Sequence, residues 1–175
     1  MKKTIKLVAA ILLVSFTFTS CDDVEDLIDV DFKSSISGKY NLNFEAESEE
    51  KISESLTLNL ADNSDVSKYL SKLKEVEITK ITYEITKFTG DNNVDMNVGF
   101  YMNGNTIVAP TEYNLSSELG VVFEITDKTV LNTVSSTLLS SKKVVLDLKG
   151  EYLSMAAATA ELTVVVYFNA TANPL

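Results

Sequence analysis

Val94-Asp95-Met96-Asn97-Val98-Gly99-Phe100-Tyr101-Met102-Asn103-Gly104-Asn105-Thr106-Ile107-Val108-Ala109-Pro110 is the stretch whose reading decides the fold. Apolar side chains at 94, 96, 98, 100 and 102 recur with period two, the pattern of a strand that buries one face. Asn103-Gly104 follows at once. An Asn-Gly pair is a favoured two-residue hairpin turn, because both central residues need positive φ. The reading predicts a return strand over 106–109, ended by Pro110, which has no N–H to give a ladder.

Moving outward, the same period recurs on both sides. Tyr40, Leu42, Phe44 and Ala46 alternate with Asn41, Asn43, Glu45 and Glu47, and Leu56, Leu58 and Leu60 repeat the pattern. Between 76 and 88 the apolar parity changes: Val76 and Ile78 are even, Ile81, Tyr83 and Ile85 odd. An inserted bulge residue near Thr79 or Lys80 produces that change. Residues 121–125, then Val144, Leu146 and Leu148, and finally 162–168 read as further strands. The last is apolar on both parities, which predicts a central strand covered on both sides.

Two segments have helical spacing instead. Val66, Tyr69, Leu70 and Leu73 follow Asn63 and Ser64, either of which suits an N-cap. Val130, Val134 and Leu138, with Leu131 beside them, follow Thr126 and Asp127 and end at Ser140-Ser141. Eight or nine short strands with two helical excursions predict a mainly β protein, a two-layer β-sandwich that is Ig-like or jelly-roll-like.

The first residues have a different character. Lys2, Lys3 and Lys6 precede an uncharged apolar run over 7–18, and Phe18-Thr19-Ser20-Cys21 closes it with the sole cysteine of the chain. The run is shorter than the roughly 20 residues of a membrane-crossing helix and fits an export signal. Asp22, Asp23, Glu25 and Asp26 come next, with Asp29 and Asp31 behind them, and no lysine stands before Lys33. The division expected is a signal peptide over 1–20, a lipidated Cys21 and acidic tether over 21–35, and a single sandwich domain over 36–175.

Phe18-Thr19-Ser20-Cys21 resembles the lipobox of bacterial lipoproteins. The acid-rich patch behind it resembles the export signal of surface lipoproteins of the Bacteroidota. The resemblance implies acylation of Cys21, a membrane partner through the lipid anchor, and an outer-membrane location, surface-exposed or periplasmic. Under it the expected role is a non-catalytic binding module that contacts an unknown protein or glycan. The alternatives are a periplasm-facing accessory of an envelope complex and, more remotely, a carboxylate-dependent hydrolase.

Composition narrows the chemistry. Residues 1–20 hold three of the 15 lysines and none of the 25 acids, so the remainder carries 12 lysines against 25 acids, a net charge of −13. Arginine is absent, and a strongly acidic chain is a poor partner for phosphate backbones, which argues against nucleic acid. Histidine is also absent. The commonest general base and transition-metal ligand are therefore missing, and so is every Ser-His or Cys-His arrangement. An enzyme is not expected, and no cofactor except possible calcium.

Calcium is suggested by Asp91-Asn92-Asn93-Val94-Asp95, where Asp91, Asn93 and Asp95 have the alternate spacing that opens many calcium loops. The stretch lacks the later glycine and bidentate acid, and a polar strand connection explains it equally. Tyr101 lies opposite the apolar parity of its strand, and Tyr113 lies beyond Pro110. Read as exposed, the two are a candidate ligand contact; the alternative is tyrosines half-buried with wet hydroxyls.

Overall fold

The computed structural model describes residues 29–46 and 50–173. Cys21, Asp22, Asp23, Glu25 and Asp26 lie outside the described residues. Eight strands form two four-stranded antiparallel sheets. They are β1 (Val30–Phe44), β2 (Lys51–Asn59), β3 (Leu73–Thr89), β4 (Asp95–Met102), β5 (Asn105–Asn114), β6 (Val122–Ile125), β7 (Lys143–Tyr152) and β8 (Ala158–Ala172). One sheet has the order β1-β8-β3-β6 and the other β2-β7-β4-β5. Each sheet alternates early and late strands, so the chain winds between the layers as a rolled pair of Greek keys. That is the jelly roll, the second of the two sandwich types expected.

The inward parity of each strand supplies the core. On β8, Ala158, Ala160, Leu162, Val164, Val166, Phe168, Ala170 and Ala172 are all buried. Tyr40, Tyr83, Phe100, Tyr113 and Phe123 tie the layers together through ring contacts, Tyr83 and Phe123 stacking at 5.1 Å. Tyr40 also donates its hydroxyl to the Leu146 carbonyl at 2.7 Å, which satisfies a polar atom inside an apolar layer. β8 is central, between β1 and β3, as expected. Its outward residues Val165 and Tyr167 are only half-buried, so no second layer covers that face.

The Asn-Gly hairpin forms as read, with Asn103 at φ 52° and Gly104 at φ 80°. The register of β3 against β8 shifts between Ile78 and Lys80, where the parity change places a bulge. The second helix, α1 (Lys128–Ser141), is N-capped by the Asp127 carboxylate on the amides of Thr129 and Val130. It buries Leu131, Val134 and Leu138 against β3 and β7.

Four expectations change. β1 begins at Val30, so 30–35 belong to the sandwich and not to a tether. Val30 and Phe32 continue the inward parity, Asp29 pairs with Lys74 at 2.9 Å, and Asp31 accepts from Thr171 at 2.7 Å. β5 runs through Pro110 to Asn114, because it is an edge strand and its register slips against β4 beside the proline. The segment after Asn63 forms 3-10 turns at Leu60–Asp62 and Ser67–Lys72 instead of an α-helix, although Asn63 caps it as expected, accepting from Asp65 and Val66. Finally, Tyr113 is 4% exposed and belongs to the core.

Candidate functional site

The 91–95 connection joins β3 to β4, and its oxygens serve the loops around it. The Asp95 carboxylate accepts the Asn114 amide at 2.8 Å, and the same amide reaches the Asn92 carbonyl at 3.3 Å. Ser154 donates to the Asn93 carbonyl at 3.2 Å and accepts from the Asp95 N–H at 3.0 Å. The segment is thus a knot between the loops that follow β3, β5 and β7. Among the described residues no three His, Cys, Asp or Glu side chains converge on a point that a metal ion would occupy.

Glu118 approaches this knot from the β5–β6 connection. Burial, and then the charge of Asp95, raise its carboxyl above the ordinary range, while a backbone hydrogen bond from Asn114 opposes the rise. Its Oε2 is shielded from solvent and has no hydrogen-bond partner among the described residues. A proton on Glu118 relieves the repulsion from Asp95.

The two tyrosines are not neighbours on a surface. Tyr101 is half-exposed on the outer face of β4, with the Lys149 ammonium 5.8 Å from its ring centre. Tyr113 faces inward, and its hydroxyl shares a hydrogen bond with that of Tyr83 at 3.0 Å. β5 continues through Pro110, and Tyr113 pairs with the inward-facing Met96 of β4, which places it on the buried side.

The gaps between the sheets, lined by residues such as Ile81, Phe100 and Val164, amount to about 10 Å³ each. That is at or below the room one water needs. A shallow surface hollow of about 270 Å³ lies at the end of β7, lined by Glu50, Lys51, Glu151, Tyr152, Leu153, Ser154 and Met155. The Tyr152 hydroxyl at its rim is committed to the Ala156 carbonyl.

The most distinctive surface feature was not read from the sequence. Leu119, Val121 and Val122 are 46%, 42% and 58% exposed, and they stand beside and within β6, the edge strand of the first sheet. Gly120 N–H bonds the Ile85 carbonyl, which fixes this turn against β3 and holds the apolar side chains outward. The signal was available: Leu119-Gly120-Val121-Val122 is apolar without alternation, immediately before a strand of four residues. Elsewhere on the sandwich one carboxylate gathers several partners. Glu161, 12% exposed, accepts from Lys39 at 2.8 Å, Lys87 at 3.1 Å and Thr86 at 2.9 Å, which hold its carboxyl down at about 2.

No protein-family model matches the chain, and no curated protein matches it. Solved structures do. The decameric capsid protein of BFDV matches at 6% identity with a TM-score of 0.46, over 81% of this chain and 99% of that one. A Desmodium yellow mottle tymovirus structure matches at 13% identity with a TM-score of 0.40, over 82% of this chain and 90% of that one. What is shared at such identities is a fold.

The lipoprotein reading, which rested on residues 1–31, is not carried further: the two solved structures named above are viral, and neither is a bacterial lipoprotein. The Bacteroidota-type lipoprotein identity, the outer-membrane location, the surface-displayed binding module and both of its alternatives are set aside with it.

Proposed function

We propose that this domain is a non-catalytic structural unit that works by associating laterally with further copies of itself along β6. The observation that carries the reading is the exposed apolar group Leu119, Val121 and Val122 on an unpaired sheet edge. An edge strand presents free backbone donors and acceptors, and soluble proteins ordinarily guard such edges with charge, proline or a covering segment.

The other edges support the contrast. β1 is covered where the Asn63 amide takes the Ser35 carbonyl at 2.8 Å, and β5 contains Pro110 and a register slip. β6 contains no proline, and its one charge, Glu124, is drawn to Lys80 of β3 at 3.6 Å. An antiparallel pairing of two β6 strands about Phe123 sets Glu124 of one copy opposite Val122 of the other, and Val121 opposite Ile125. Like charges do not meet in that register, and each face keeps its own parity.

The strand is short, so the interface belongs to the small, transient class. Association is accordingly weak and concentration-dependent. Sedimentation of the full chain, wild type against Val121→Lys/Val122→Lys, tests the reading. Both side chains are exposed, so the variant keeps the fold. The expected result is a rise in weight-average mass with concentration that the double variant abolishes. Equal behaviour of the two chains would overturn it.

A further inference from the structure

We propose that Asn103 is a site of spontaneous covalent modification, in which its side-chain amide is lost through a succinimide and the hairpin tip acquires a carboxylate. The deprotonated backbone nitrogen of Gly104 forms a bond to Asn103 Cγ. The Cγ–NH2 bond breaks, ammonia leaves, and a five-membered imide closes. Water then adds to one of the two imide carbonyls. Opening at Cγ gives aspartate, and opening at the main-chain carbonyl gives isoaspartate, with the chain rerouted through Cβ and Cγ. The only co-reactant is water, and nothing is oxidised or reduced.

Three observations place the reaction here. First, the attacking nitrogen must be unhindered, and Gly104 has no side chain, is exposed, and has nothing within 4 Å of where a Cβ would stand. Second, the pair that closes the turn is Met102 with Asn105, so Gly104 is a central residue whose N–H is outside the β4–β5 ladder. Third, Asn103 is itself exposed, and no other asparagine in the sequence precedes glycine.

Six other asparagines show what protection looks like. Asn41, Asn43, Asn97 and Asn169 sit within strands, where the following amide belongs to extended backbone. The side-chain amides of Asn63 and Asn114 are held by the Ser35 carbonyl and the Asp95 carboxylate, at 2.8 Å each. The product matters to the hairpin. Isoaspartate lengthens a two-residue turn by one main-chain carbon, which frays the pairs Met102 with Asn105 and Tyr101 with Thr106. Because the nucleophile is a deprotonated amide, the rate rises with pH.

The full chain is incubated in warm, mildly alkaline buffer, folded and in urea, with Asn103→Gln alongside. Peptide mapping by mass spectrometry and an isoaspartyl methyl-acceptor assay follow the conversion. The expected result is an amide-to-acid gain confined to the peptide bearing 103–104, with isoaspartate in excess, at a rate within about tenfold of the urea-denatured chain. Asn103→Gln should lack the signal. A folded-state rate slower than that margin, earlier conversion at another asparagine, or an isoaspartate signal that survives in Asn103→Gln would each overturn the proposal.

Discussion

Replacing Gly150 by alanine should be among the most damaging single-methyl additions to this sandwich. Gly150 lies in the middle of β7, opposite Ile52 on one side and Val98 on the other. A Cβ there would stand 2.8 Å from Val98 Cα and 2.9 Å from the Asn97 carbonyl carbon, and would overlap the Asn97 carbonyl oxygen. All three are backbone atoms of a paired neighbouring strand, so no rotamer change makes room. Overpacking usually costs about 1–3 kcal/mol when side chains can yield. Here the ladder itself must move, which sets the expected cost at about 3 kcal/mol or more, against a typical stability of about 5–15 kcal/mol. Urea titration reads this as a midpoint lowered by about 1.5–2 M at unchanged slope. Gly104→Ala is the calibrating variant. It meets nothing within 4 Å but adopts φ +80°, so its cost is backbone strain of about 1 kcal/mol. A Gly150→Ala chain within 1 kcal/mol of wild type would refute the close-approach argument.

Tyr83→Phe and Tyr113→Phe should each lower stability by about 1–2 kcal/mol, because each strands the other's hydroxyl in the core; the double variant, measured by denaturant unfolding, should cost less than the sum. Leu138→Ala, which empties a fully buried position under α1, should cost about 2–4 kcal/mol in the same assay. The Glu161 carboxyl is lowered on folding, so its stabilising contribution is complete above its ordinary 4.5 and disappears as pH falls through about 2. The melting-temperature gap between wild type and Glu161→Gln should therefore be present at neutral pH and close in acid. Asp127→Ala should lower the helical circular-dichroism signal and the melting temperature at neutral pH. Its carboxyl is lowered by the amides of Val130 and Thr129, so that difference too should shrink below the ordinary carboxylate range.

Much of the sandwich was legible because its signals are local. The hairpin at 103–104 follows from two residues that tolerate positive φ, the bulge near Lys80 from a change of parity, and α1 from a carboxylate placed before a helical stripe. What escaped reading depended on partners distant in sequence. Asp29 and Asp31 look like solvated tether residues until Lys74 and Thr171 arrive beside them. Pro110 looks like a strand end because its tolerance depends on β5 being an edge, which is a property of the sheet order. Tyr113 looks like a loop residue beyond that proline until β5 continues and pairs it with the inward Met96. The Val66 segment satisfies helical spacing for only about two turns, too short for spacing to separate a 3-10 turn from an α-helix. The apolar edge at Leu119, Val121 and Val122 was visible as a run without alternation, but an exposed apolar run and a buried one read alike. The lipobox-like string could not reveal the domain behind it, since residues 1–21 place no constraint on strand order.

Amide hydrogen exchange at 122–125, followed as the full chain is concentrated, tests lateral association along β6 most directly. The account predicts fast exchange at these edge amides in dilute solution and growing protection in step with the rise in mass, with none in Val121→Lys/Val122→Lys. Association accompanied by unchanged, fast exchange at 122–125 would contradict it.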